Sequence, residues 1–369
     1  MIQEWLNLVL DAVVTVMASI LTTLAVRLHS SSAFAGASLF TLVSFGVNLS
    51  DIVVFYTMLE TSLGAVARLN TFNKTVKPED RDDEDIVPPE QWPRSGRLEL
   101  KCVSATYHST ADDQIDNDSN SSGTTPNLAL RNIHLTIRSG EKVAICGRTG
   151  SGKSSLIALL LKLLDPVPET PEDAVMIDDT PLRRINRAAL RERLIAVPQE
   201  AVFLPDGCSV QANLDPSGVS EPEECQAVLV AVGMWSFVQD RGGLAAGMSP
   251  ATLSAGQGQL LSLGRALLKR RIRLRSLGQR EEDADSGILL LDEVSSSVDR
   301  ETERVMQQVI RDEFGKYTVL AVSHRLDMIM DFDTVVVMDR GAIVEVGNPA
   351  ALAARAGTKF GDLVRAAQS

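Results

Sequence analysis

Two apolar runs open the chain, Leu6 to Val26, interrupted by Asp11, and Phe34 to Tyr56, carrying Asp51. Neither has the polar stripe of a surface helix, and about twenty helical residues cover the ~30 Å of a bilayer's hydrocarbon. The pattern predicts a membrane hairpin with spans near 6–26 and 34–56, joined by the polar turn Arg27 to Ser32. A buried helical pair in a soluble protein is the competing reading, disfavoured because both runs reach spanning length. Asp11 and Asp51 are expected to face other helices or water rather than lipid. Glu4 and the lack of a basic stretch ahead of the first run disfavour a cleaved secretory signal.

Beyond Thr61 the pattern turns amphipathic, and Lys74 to Gly96 reads as a charged linker with the acidic run Glu79 to Asp85 and Pro88, Pro89 and Pro93. From Arg97 onward, short β-branched runs alternate with helical patterns, the mark of an α/β domain. The expected organisation is a partial membrane domain over 1–70, a linker over 71–96 and a globular domain over 97–369. Two stretches break the rhythm and read as exposed loops: the polar Ser109 to Asn127, and Arg270 to Ser286, where a basic run meets an acidic one. Ser276, behind Arg273 and Arg275, could be a kinase site, but a solvated loop is the simpler reading. With the globular domain in the cytosol, Met1 lies inside and the turn outside. Arg68, Lys74 and Lys77 then flank the cytosolic exit, in line with the positive-inside tendency that Arg27 slightly opposes. Asn73, Asn117 and Asn120 would stay unglycosylated there.

The formal net charge of −12 disfavours any role resting on general attraction to nucleic acid, so a bound phosphate must be held locally. Cys102, Cys146, Cys208 and Cys225 have neither metal-ligand spacing nor a paired framework, and read as reduced cytosolic thiols.

One such phosphate site is explicit. Gly147-Arg148-Thr149-Gly150-Ser151-Gly152-Lys153-Ser154 is a P-loop, preceded by the strand-like Lys142 to Cys146 and followed by the helical run Ser155 to Leu164. Its glycines let successive N–H groups turn toward phosphate oxygens, with the positive end of the helix aimed at the same anion. Lys153 adds a cation at the β- and γ-phosphates, and Ser154 a hydroxyl for a Mg²⁺ that arrives with the nucleotide. Downstream, the apolar run Ile288 to Leu291 ends in Asp292-Glu293, Leu194 to Pro198 ends in Gln199, and Val319 to Ser323 ends in His324. The carboxyl ends of parallel strands line the ligand crevice of open α/β sheets, so these termini are expected to converge on the phosphates. Each alone has a bland account: a polar turn, a strand cap, a satisfied buried histidine. Phosphoryl transfer to water needs a held metal, a stabilised γ-phosphate and an in-line nucleophile. Asp292 is assigned to the Mg²⁺ shell, Glu293 to the attacking water, Gln199 to metal or water, and His324 to the γ-phosphate.

Leu253-Ser254-Ala255-Gly256-Gln257, opening a helix through Leu268, resembles the signature of ABC transporters. The P-loop, Asp292-Glu293, Ser297-Val298-Asp299 and Ser323-His324 follow in that family's order. The resemblance implies a P-loop nucleotide-binding domain with a RecA-like core, an antiparallel β-subdomain and a helical subdomain, preceded by a two-helix all-α membrane segment. It implies an ATPase that uses ATP and Mg²⁺, with Ser155 in the P-loop site, Tyr107 stacking on adenine, and the signature closing on ATP held by a second nucleotide-binding domain. Glu60-Thr61-Ser62, Gly64 to Arg68, Trp92-Pro93 and Asn213-Leu214-Asp215-Pro216 look like the carboxyl-terminal half of the multidrug-resistance-associated subfamily C, fungal members included. That likeness implies export of organic anions, conjugates or drugs across the plasma or vacuolar membrane. Further membrane helices and a second domain would be its partners, and the P-loop would belong to the active site of an unequal pair. Departures from the family pattern are Ala255, Gly258 and the mid-helix Gly264, which costs up to about 1 kcal/mol relative to alanine. With only two spans and one P-loop, a nucleotide-binding half-module without transport of its own is the alternative; a soluble P-loop ATPase is disfavoured by the spans.

Overall fold

The computed structural model describes residues 2–27, 32–76, 79, 81, 83–107, 128–278, 285–294 and 298–368. The expected loop 109–127, with Asn117 and Asn120, and Ser297 lie outside them, as does most of the turn between the two apolar runs. Two compact units divide the chain, residues 1–79 and residues 80–369.

In the first unit the apolar runs form α1 (Ile2–Arg27) and α2 (Ser32–Thr75). Both are long and apolar enough to cross a membrane. Large apolar side chains such as Leu24, Phe34, Phe40 and Phe55 are exposed in the chain by itself. The hydroxyls fold back on their own helices: Thr15 Oγ1 donates to the Asp11 carbonyl at 2.7 Å, Ser19 to Thr15 at 2.8 Å and Thr57 to Val53 at 2.8 Å. That removes donors which hydrocarbon could not satisfy. The change to an amphipathic pattern after Thr61 does not end the helix. α2 continues unbroken for 44 residues, about 66 Å at the usual rise, well beyond one hydrocarbon thickness.

The second unit holds two sheets. β1 (Leu98–Ala105), β2 (Leu130–Ile137), β4 (Val175–Ile177) and β5 (Thr180–Pro181) form an antiparallel sheet in the order β2-β1-β4-β5. The other sheet has the order β10-β9-β3-β8-β7-β6, from β3 (Lys142–Gly147), β6 (Ile195–Val197), β7 (Ile288–Asp292), β8 (Thr318–Val322), β9 (Thr334–Asp339) and β10 (Ala342–Gly347). All its pairings are parallel except the terminal hairpin of β9 with β10. Continuous burial of β7 and β8 matches their unbroken apolar runs, as strands covered on both faces require. One face packs α3 (Lys153–Leu160) and the antiparallel sheet around Leu156, Ile145, Leu290 and Leu98. The other packs α8 (Ala255–Ser276) and α9 (Arg300–Glu313), with the helical segments α5 (Val210–Leu214), α6 (Pro222–Ala231) and α7 (Trp235–Gln239), around Leu263, Leu267, Phe314 and Leu289. This is the RecA-like core with antiparallel and helical subdomains that the motifs imply.

The reading of Arg270 to Ser286 as a loop is corrected in its first part, because α8 runs on through Ser276. Partners explain why so basic a stretch stays helical. Arg270 pairs with Asp285 at 2.6 Å and Glu313 at 2.7 Å, Arg271 with Glu313 at 2.9 Å and Arg275 with Glu224 at 2.6 Å. Arg273 donates to the carbonyls of Gln91 and Pro93 at 3.1 and 3.0 Å, and Ser276 Oγ to the Arg273 carbonyl at 2.8 Å.

Residues 83–96, read from sequence as linker, are folded into the second unit. Ile86 bridges Ile185 in parallel fashion, and Trp92 is buried beside Ile177. Glu84 is buried between Lys162 at 2.8 Å and Arg187, the first residue of α4 (Arg187–Arg193), at 2.6 Å, while Asp83 and Asp85 pair with Arg183 and Arg184 on the outside. Burial pushes the Lys162 ammonium down in pKa, and Glu84 opposes the shift. Removing one member of a buried pair strands its partners' charge, at a cost of about 3–5 kcal/mol. Glu84→Ala is therefore expected to destabilise the second unit by that amount in urea unfolding, whereas Asp85→Ala, at an exposed pair, should change it by less than about 1 kcal/mol.

Candidate nucleotide-binding and hydrolysis site

β3 ends at Gly147, and the chain turns through Arg148, Thr149, Gly150, Ser151 and Gly152 into α3. Gly152 sits at φ +97°, where a Cβ would lie 2.8 Å from the Ala129 carbonyl oxygen, so the turn is open to glycine alone. No side chain caps the start of α3, which leaves its first N–H groups for an anion. Ser151 Oγ is buried without a partner among the described residues, an unfilled polar position inside the turn. Lys153 is buried, its Nζ donating to the carbonyls of Gly147 and Arg148 at 3.2 Å each and lying 4.0 Å from Glu293 Oε1. Burial lowers its pKa, and the charges of Glu293, Cys146 and Asp292 pull the other way.

The other strand ends meet this turn. Ser154 Oγ donates to Asp292 Oδ1 at 3.0 Å. Burial raises the Asp292 pKa and neighbouring Glu293 raises it further, against the Ser154 bond and Lys153. The carboxylate of Asp292 and the hydroxyl of Ser154 are hard oxygen donors of the kind Mg²⁺ takes, so this pair fits that ion. Glu293, at φ +49°, is tied through its N–H to the Val322 carbonyl at 3.0 Å. Gln199 Nε2 donates to Glu293 Oε2 at 3.1 Å, and His324 Nε2 lies 3.1 Å from Glu293 Oε1. Gln199, Glu293 and His324, which follow strand ends, thus meet Lys153 at the start of α3. Tyr107 is exposed, and its hydroxyl lies 3.0 Å from Ser155 Oγ, which puts the ring beside the P-loop helix.

The signature residues stand apart, with no hydrogen bond or ion pair to the P-loop among the described residues. Ser254 caps α8 in a reciprocal box: its Oγ accepts from the Gln257 N–H at 3.1 Å, and Gln257 Oε1 accepts from the Ser254 N–H at 2.9 Å. Leu253 packs on the core, Ala255 is exposed, and Gly256 abuts Thr302. The odd mid-helix Gly264 has a packing reason: a Cβ there would meet Leu214 Cδ1 at 3.3 Å and Val228 at 3.5 Å. Val298 is buried, and Asp299 caps α9, accepting from the N–H groups of Glu301 and Thr302 at 3.0 and 2.9 Å. Sequence reasoning missed Arg325, which follows His324 and joins Glu303 at 2.6 Å and the Val298 carbonyl. Its only signal was adjacency to the histidine.

Known proteins resemble this chain in sequence and in fold. The ABC transporter family model matches residues 130–273. The ABC-type transporter braE of Annulohypoxylon truncatum is 60% identical over 373 residues, covering 98% of this chain and 25% of the relative. The ABC transporter FGM5 of Gibberella zeae is 47% identical over 364 residues, covering 98% and 24%. The chain therefore spans about a quarter of the length of these curated relatives. A bacterial Atm1-family ABC exporter solved with ATP bound shares the fold, with a TM-score of 0.65 at 22% identity, over 91% of this chain and 52% of that one. The chain carries an ABC transporter nucleotide-binding domain, an ATP-binding ABC-type ATPase domain homologous to those of fungal ABC transporters, preceded by two apolar helices.

A carboxyl group whose pKa is raised by folding adds stability when protonated and loses it as pH rises through the folded-state value. Asp292→Asn is accordingly expected to raise the melting temperature of the nucleotide-free chain at pH 7. The gain should narrow as the pH falls toward the ordinary aspartate range near about 4. The same variant should lose most of the thermal shift that Mg·ATP gives the wild type, which calorimetry or dye-monitored melting would register.

Proposed function

We propose that this chain is the carboxyl-terminal part of an ABC exporter of the multidrug-resistance-associated subfamily C type, in which ATP hydrolysis at Glu293 drives movement of organic anions, conjugates or drugs. The observation that carries the catalytic reading is the convergence of Gln199, His324 and Lys153 on the Glu293 carboxylate, beside the Ser154–Asp292 pair. The N–H groups of the P-loop from Gly147 to Ser155 hold the triphosphate, Lys153 draws charge from the β- and γ-phosphates, and Tyr107 stacks on the adenine. Ser154, Asp292 and Gln199 would hold Mg²⁺, which when bound neutralises charge on the phosphate oxygens. Glu293 orients a water and takes its proton as the water oxygen bonds the γ-phosphorus and the bond to the bridging β-oxygen breaks. His324 leaves Glu293 to donate to the γ-phosphate, where charge develops.

The remaining residues serve a second domain in this reading. Leu253, Ser254, Ala255, Gly256 and Gln257 contact ATP held by a second nucleotide-binding domain, with Ser297, Val298 and Asp299 forming the loop between the two. α1 and α2 are the last two spans of a transport pathway whose other helices belong to the same parent polypeptide or to a partner chain. In this reading the protein lies in the plasma or vacuolar membrane, with the second unit, residues 80–369, in the cytosol. Support comes from the relatives' coverage, the length and apolar surface of α1 and α2, and the subfamily-like wording around Trp92-Pro93 and Asn213 to Pro216.

Glu293→Gln keeps the shape of the side chain but exchanges one acceptor oxygen for an N–H donor and removes the base. It is expected to retain Mg·ATP affinity while phosphate release falls at least about a hundredfold. Unchanged turnover in the variant would remove Glu293 from its assigned role, and binding without turnover in the wild type would favour a nucleotide-binding half-module.

A further inference from the structure

The loop that carries Gln199 is fastened to α8 by a side chain with no assigned role. Gln259, two residues past the signature, is buried, and its Nε2 donates to the main-chain carbonyl of Gln199 at 2.5 Å. Its Oε1 is buried with no hydrogen-bond partner among the described residues. An acceptor left unfilled in the interior is destabilising, so stability is a poor reason for an amide at this point; an apolar side chain of equal length would avoid that cost. The amide does make one continuous connection. From α8 it runs through the Gln199 main chain and the Gln199 side chain to Glu293 Oε2. The surroundings keep that connection short, because a Cβ at Gly258 would touch Ala201 and Phe203 at 3.4 Å, so the start of α8 lies directly against the loop. The loop also has a second tether, Arg265, which donates to the carbonyls of Val202 and Asn213. Loss of Gln259 would therefore free Gln199 without unfolding the loop.

We infer that Gln259 is a positioning residue for hydrolysis: it sets the place of Gln199 against Glu293 and ties that place to the helix opening on the signature. This rests on the reading of Glu293 as the hydrolytic carboxylate. A shift of α8 when its start meets ATP on the second domain would reach the chain's own reacting centre through one amide, with no change in nucleotide contacts.

The test is ATP turnover by the full chain in lipid nanodiscs, for the wild type, Gln259→Met, Gln199→Ala and the double variant, with Glu293→Gln as baseline. Hydrogen exchange of residues 199–204 and melting temperatures are measured on the same samples. Gln259→Met is expected to melt no lower than wild type and to lose about tenfold in kcat with KM for ATP within about twofold, the pattern of an interaction that serves only the reaction step. In the Gln199→Ala background the further loss should be below about twofold, since the two residues act in series. Faster exchange at 199–204, confined to that loop, should accompany it. A wild-type kcat in Gln259→Met, or equal fold losses in both backgrounds, overturns the inference and leaves Glu293's role standing. A wild type no faster than Glu293→Gln overturns the hydrolytic reading instead; exchange at 199–204 then decides on the tether, unchanged protection refuting it.

Discussion

Strand register governs everything else at the site. Val197 lies opposite Leu291, Asp292 opposite Val322, and Ile145 opposite Val322, so β6, β7 and β8 finish within a residue of one level along the sheet, and β3 runs on to Gly147 beside them. Glu293 directly follows β7, Gln199 and His324 stand two residues past β6 and β8, and Glu293 is then fixed by its N–H on the Val322 carbonyl. A slip of one residue would turn every side chain of the strand to the opposite face. Asp292, which ends the buried run Ile288 to Leu291, resists such a slip, because drawing it inward would set a carboxylate among the apolar side chains on the sheet. The hydrophobic core and the acid–base geometry are thus two readings of one pairing pattern.

What the sequence made legible follows from this. A continuous apolar run that breaks into Asp292-Glu293, and a glycine-rich turn between a strand and a helix, are local patterns whose three-dimensional meaning is nearly fixed. Gln199 and His324 could be placed because they too stop apolar runs. Less legible were features that depend on pairing between distant polar groups. The charged run after Leu268 reads as solvated, yet Glu313, Asp285 and Glu224 neutralise it and α8 carries on. Glu84 sits in an acidic stretch with no periodicity to mark it as the one that is buried, and Gln259 looks like any polar residue of a helix. Gly264, read as a flaw in a helix, is where α8 comes close to Leu214.

The P-loop helix is short and held at both ends by lysines with opposite surroundings. Lys153 at its start faces the turn and carboxylates that await a ligand, while Lys162, just past its end, is saturated by Glu84 and the carbonyls of Arg183 and Ile185. Burial lowers the pKa of each. One end is therefore fixed by charge already paired within the fold, and the other keeps charge in reserve, which suits an element that must hold still while its ligand comes and goes.

The antiparallel sheet finishes on β5, a strand only two residues long whose second residue is Pro181. Proline offers no N–H, and so brief a border gives an incoming chain almost nothing to pair with. A neighbouring copy of the chain would find no template there for intermolecular β-structure, so this margin works as a built-in guard against aggregation.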